Sequence, residues 1–157
     1  MQAVEKMTEN IQDNIDYQNG LQVLREEIAG LEAMAAALDD QFIAAVDAID
    51  DMRSRRTGRL IIGGIGKSGH VGRKMAATMA STGTPSYYVH PGEESHGDLG
   101  MVTENDVVLM LSNSGENPEL SDLIHYTRRF GITLIAMTSN ADSTLAQHAD
   151  VKLVYPK

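Results

Sequence analysis

Leu60-Ile61-Ile62-Gly63-Gly64-Ile65-Gly66-Lys67-Ser68-Gly69-His70 decides the fold: an apolar run of strand length breaks into a glycine-rich turn, and a helical pattern follows over 70–81. A continuous apolar run fits a strand covered on both faces, and a tight turn into a helix is how a parallel sheet begins a crossover. The same rhythm recurs downstream. Apolar or β-branched runs at 60–63, 86–89, 107–111, 133–137 and 151–154 alternate with turn-rich and helical stretches. That pattern predicts the α/β class, with five parallel strands between helices in a three-layer αβα sandwich. In such open sheets ligands sit beyond the carboxyl ends of the strands, at the point where the strand order reverses. The loops after the strands are therefore where chemistry is expected.

Upstream of this unit, Leu21, Leu24, Ile28, Leu31, Met34, Leu38, Phe42, Val46 and Ile49 recur in steps of three and four, the stripe of one long amphipathic helix. Residues 1–19 carry a weaker stripe and read as a helical arm, with Asn19-Gly20 as a break before the domain at 20–157.

With 157 residues the chain has the length of one domain, and its 42% hydrophobic content is ordinary for a folded protein. The net charge of −9 has the wrong sign for neutralising nucleic-acid phosphates or anionic lipid, so neither partner is expected. No apolar run approaches a membrane span, and the N-terminus lacks a signal-peptide layout, which places the chain in the cytoplasm. The absence of cysteine removes disulfides, thiolate metal sites and cysteine nucleophiles.

The first loop, Gly63 to Gly69, offers backbone amides at a helix N-terminus, which make an anion site. Gly64-Ile65-Gly66-Lys67-Ser68-Gly69 matches a dinucleotide fingerprint, but the second strand ends at His90 where an acidic ribose partner is wanted. A P-loop needs glycine where Ile61 stands. The plain alternative is a turn and nothing more. The third strand runs into Ser112-Asn113-Ser114-Gly115-Glu116-Asn117-Pro118-Glu119, where hydroxyls, an amide and backbone donors converge before a helix start marked by Pro118. Two hydroxyl-rich loops on adjacent strands suit the phosphate monoester of a small molecule. Thr138 to Ser143 reads as a helix cap. The segment from His90 to Gly100 holds His90, Glu93, Glu94, His96 and Asp98, which could serve as acids and bases, bind a divalent ion, or simply be a solvated loop. His70, His125 and His148 lie in or at the ends of helices, where surface or capping roles are expected, and Met75 and Met79 are spaced for a buried helix face.

Taken together, Gly64 to His70, Gly72-Arg73-Lys74-Met75-Ala76-Ala77-Thr78, Ser81-Thr82-Gly83-Thr84-Pro85, His90-Pro91-Gly92-Glu93, His96-Gly97-Asp98-Leu99-Gly100 and Ser112-Asn113-Ser114-Gly115-Glu116 resemble the SIS (sugar isomerase) domain. The His-Gly-Asp-Leu-Gly segment is similar to the arabinose-5-phosphate isomerase branch of the Kdo pathway, and it argues against the hexulose-phosphate isomerases, which share the other loops. The resemblance runs from about Gly20 to the chain end. It implies a flavodoxin-like fold, a homodimer or homotetramer, no redox cofactor and no required metal. It also implies an aldose-ketose shift between D-ribulose 5-phosphate and D-arabinose 5-phosphate through an enediol or enediolate. Carried over by position, Gly66, Ser68, Ser112, Asn113 and Ser114 fall on the phosphate-binding loops, Lys67 and Glu119 on the catalytic positions, and His90, Glu93 and His96 near the sugar. Asn117 stands where many such loops have Ser or Thr and is not expected to bind phosphate. Relatives of this kind usually continue past Lys157 with a glutamate loop, a histidine-bearing helix and often paired regulatory domains, so a C-terminal part of the domain is expected to be missing here. The competing expectation is a non-catalytic module that binds a phosphosugar.

Overall fold

Side chains of a strand alternate between faces, and in this chain both sets are apolar, so two cores form on one sheet. The computed structural model describes residues 11–94 and 98–156. Its strands are β1 (Leu60–Gly64), β2 (Ser86–Val89), β3 (Val107–Leu111), β4 (Thr133–Thr138) and β5 (Val151–Val154), in the order β2-β1-β3-β4-β5 with every neighbouring pair parallel. Ile61, Val108, Met110, Leu134 and Ala136 face one core, while Leu60, Ile62, Val107, Leu109, Leu111 and Ile135 face the other.

Helices cover each face. The first core is closed by Leu123 and Ile124 of α5 (Ser121–Phe130) and Leu145 of α6 (Thr144–His148). The second is closed by Ala45 and Met52 of α2 (Asp40–Arg55) and by Ala76, Met75 and Met79 of α3 (Lys67–Ser81). Lys152 N donates to the Gln41 side chain at 3.0 Å, which ties α2 to the edge strand β5. The result is the αβα sandwich with the doubly wound order in which β1 and β3 flank the switch point.

Two expectations need correction. The long helix is two helices, α1 (Ile15–Ala37) and α2, because the Asp39 side chain accepts from Gln41 N and caps a new helix start. A 3.6-residue stripe carries no information about such a cap. Asn19-Gly20 is no break: α1 runs through it, and a Cβ on Gly20 would meet nothing within 4 Å. The described residues fall into two compact units, one holding α1 and the other 38–155. Ile15, Val23, Leu24, Ile28, Leu31 and Met34 of α1 are all exposed. The connection from β2 to β3 is described as the short α4 (Pro91–Glu94) and a 3-10 turn Asp98–Met101.

Among the described residues no helix is long and apolar enough to cross a membrane.

Candidate functional site

Gly64 at the end of β1 pairs in register with Leu111 at the end of β3, so the loops that follow them start side by side. Gly66 precedes α3 with φ +58, a conformation that a glycine reaches without a Cβ penalty. Gly69 N and His70 N are already bonded to Ile65 O and Gly66 O. The amides of Lys67 and Ser68 have no partner among the described residues, so they are the donors that the α3 terminus presents. Lys67 is the first residue of α3 and its side chain is exposed. A cation at the positive end of a helix is locally unfavourable, which makes its position more useful to an arriving anion than to the fold.

The loop after β3 is held from inside. Ser112 is 4% exposed; its hydroxyl donates to Asn117 Oδ1 at 2.8 Å and accepts from Gly115 N at 3.0 Å. Ser114 Oγ lies 3.4 Å from the same Asn117 oxygen and accepts from Glu116 N at 3.3 Å. Asn117 is thus the hub of the loop, a role that residue type alone does not reveal. The two serine hydroxyls and Asn117 form a closed set around a turn whose Gly115 has φ +69. Asn113 and Ser114 are exposed at its mouth, and Tyr155 Oη donates to Asn113 Oδ1 at 3.1 Å. Partial burial pushes the Tyr155 hydroxyl above its ordinary value, which keeps it a donor at neutral pH. Tyr155 follows β5, and nothing in the sequence points it at a loop 42 positions away.

Glu119 lies in the 3-10 turn Pro118–Leu120 and is exposed at the start of the α5 segment. His90 is partly buried, and its Nδ1 accepts from Gly92 N at 3.2 Å, so it shapes the entry to α4. Glu93 belongs to α4, but its side chain lies outside the described residues, as does His96 altogether. No group of metal-ligating side chains occurs among the described residues. The loop after β4 caps as read: Ser143 Oγ accepts from Ala146 N at the start of α6. Its other contacts were not legible, for Thr138 Oγ1, Ser139 N and Ser139 Oγ all reach Asn113 O at 2.9–3.1 Å. Glu116 accepts from Thr144 Oγ1 and Thr144 N, and those bonds hold its carboxyl below the usual range.

The loop tolerates no Cβ at its turn. A Cβ on Gly115 would stand 2.1 Å from Ser143 Oγ and 2.5 Å from Ser143 Cβ. Gly115→Ala is expected to destabilise the protein by about 1–3 kcal/mol and to loosen the loop from α6. Thermal denaturation beside wild type measures this, and an unchanged midpoint would contradict the close packing.

The SIS domain family model matches residues 54–157. The arabinose 5-phosphate isomerase KdsD of Pseudomonas aeruginosa is 46% identical over 145 residues, covering 92% of this chain and 43% of that protein. The KdsD of Yersinia pestis is 48% identical over 147 residues, covering 93% and 44%. Among solved structures, an Escherichia coli CFT073 protein in complex with arabinose 5-phosphate superimposes with a TM-score of 0.74 at 35% identity, covering 88% of this chain and 74% of that one. The chain spans under half the length of the curated relatives it matches.

Proposed function

The chain belongs to the SIS domain family, and from that premise we propose that it is a sugar-phosphate aldose-ketose isomerase acting on D-arabinose 5-phosphate and D-ribulose 5-phosphate. The observation that carries the reading is the pairing of two anion-ready loops at the β1/β3 switch point with Lys67 exposed between strand and helix. The amides of Lys67 and Ser68, the Ser68 hydroxyl and the mouth of the Ser112–Gly115 turn would hold the phosphate. Phosphate binding energy then fixes the carbons that react, which is how a remote group assists a proton transfer.

In the reaction a base removes the proton next to the carbonyl, the electron pair moves into an enediolate, and the proton returns at the neighbouring carbon. No net oxidation occurs. Negative charge grows on the carbonyl oxygen, and the Lys67 ammonium is suited to meet it. Glu119, in the 3-10 turn beyond the loop, is the carboxylate assigned here to carry or orient a proton. His90, Glu93 and His96 belong to the segment proposed for the sugar end. We place the enzyme in the cytoplasm, in supply of Kdo for lipopolysaccharide, as a homodimer or homotetramer.

The test is an isomerisation assay with D-arabinose 5-phosphate that follows ketose appearance, run beside Ser112→Ala. Removing that hydroxyl leaves Gly115 N without its acceptor and Asn117 Oδ1 with only the longer contact to Ser114, so substrate affinity is expected to fall about tenfold. Binding without turnover would give the non-catalytic phosphosugar module instead. Neither turnover nor thermal stabilisation by the sugar phosphate would overturn both.

A further inference from the structure

Glu116 stands in the anion loop but spends its charge behind it. Its Oε1 accepts from Thr144 N at 2.8 Å and its Oε2 from Thr144 Oγ1 at 2.7 Å, at the first residue of α6. This bridge is the outermost of a series. Asn113 O is taken by Thr138 and Ser139, Ser114 O by Asn140 Nδ2 at 3.5 Å, and Gly115 O by Leu145 N at 3.1 Å. The carbonyls of Asn113, Ser114 and Gly115 therefore face the segment between β4 and α6. In a trans peptide the following N–H points opposite to the carbonyl, so fixing Asn113 O on one side aims the Ser114 amide at the other, while Gly115 N and Glu116 N turn back onto the Ser112 and Ser114 hydroxyls. A cleft of about 210 Å³ lined by Pro118, Ser121, Ile124 and Thr144 lies beneath the outer end of the loop. Gly115, Glu116 and Thr144 line the same cleft, so the carboxylate bridge runs along its edge.

We propose that Glu116 is a positioning residue for phosphate, which acts through Thr144 to hold the mouth of the Ser112–Gly115 turn, with the Ser114 amide, toward the ligand. The inference rests on the phosphosugar reading of this loop. Its sign is opposite to simple electrostatics. A free carboxylate near a phosphate dianion repels it, so deleting the charge alone would tighten binding. Deleting a positioning group weakens it.

The experiment titrates wild type, Glu116→Ala, Glu116→Gln, Thr144→Val and the Glu116→Ala/Thr144→Val double variant with inorganic phosphate and with D-arabinose 5-phosphate. Amide hydrogen exchange is followed on the same ligand-free proteins. Glu116→Ala is expected to weaken both ligands by about tenfold and by the same factor, because only the phosphate end is affected. Glu116→Gln, which keeps one acceptor, is expected to recover part of the loss, and the double variant to lose no more than Glu116→Ala alone. Exchange is expected to quicken at 113–117 and 144–146 while β1 and β3 stay protected. Equal or tighter binding by Glu116→Ala, or unchanged exchange at the loop, would overturn the proposal. If wild type bound neither ligand, the phosphosugar reading would fall, and the exchange result would by itself decide whether Glu116 holds the loop.

Discussion

Lys67→Ala is expected to abolish most turnover while leaving the ligand-free protein as stable as wild type, or slightly more so. The side chain is exposed at the first position of α3 and makes no ion pair among the described residues. Exposed side chains of this kind change stability by about 0.5 kcal/mol or less when replaced. An ammonium at the positive end of a helix moreover opposes the macrodipole, so its removal relieves about 0.3–1 kcal/mol of local repulsion. The catalytic side of the ledger is larger. Loss of one preorganised donor to a developing oxyanion costs about a hundredfold to a thousandfold in rate. Paired melting curves and initial rates separate the two effects. Near-normal turnover would remove Lys67 from the mechanism, and a large drop in melting temperature would mean that it serves the fold.

The layers of this molecule were legible because burial leaves a direct trace in sequence. Val107 to Leu111 reads as a doubly covered strand from composition alone, and it proves buried throughout, with odd and even residues divided between the two cores. The glycine-rich turn at 63–69 likewise announces a strand-to-helix junction, whatever it binds. Capping is a weaker signal, which is why the break at Asp39 was hidden beneath an apolar stripe that passes through it unchanged. The loop chemistry was half legible. Serines, Asn113 and Glu116 mark a polar strand end, but Tyr155 and Ser139, the partners of Asn113, and Thr144, the partner of Glu116, come from segments 26–42 positions away, and only the sheet order β3-β4-β5 brings them together. Asn117 departs in type from Ser or Thr and reads as no phosphate ligand; what type does not show is that its Oδ1 accepts a hydrogen bond from the Ser112 hydroxyl. Residue type predicts what a side chain can bind, whereas topology decides which neighbour it meets.

That topology also separates the site from the latch at the other end of the sheet, and Asp106→Ala is expected to show the separation. Asp106 precedes β3, with its side chain 0% exposed against the residue that precedes β1, Arg59. Its carboxylate accepts from Arg59 N at 2.7 Å, Arg59 Nη2 at 3.1 Å, Thr103 N at 2.8 Å and Thr103 Oγ1 at 3.1 Å. Breaking a fully buried ion pair costs about 3–5 kcal/mol. Here the guanidinium is 41% exposed and can rehydrate, so the low end applies, and most of the penalty falls on the two backbone amides left without an acceptor. The expectation is about 3 kcal/mol, or a melting temperature lower by roughly 6–12 °C for a chain of this size. Burial alone pushes the Asp106 carboxyl up, but the bonds from Arg59 and Thr103 together outweigh it and hold the carboxyl below its ordinary value. A group lowered in the folded state contributes fully above its unfolded value, near about 3.9, and loses that contribution as pH falls through the folded one. Acidification is therefore expected to cost wild type more stability than Asp106→Asn. Because the latch lies at the amino ends of β1 and β3 and the anion loops at their carboxyl ends, phosphosugar affinity measured well below the melting transition is expected to match wild type. Lost affinity in a folded Asp106 variant would mean that the two ends of the sheet are coupled, and that stability and binding are not divided between them as the strand order implies.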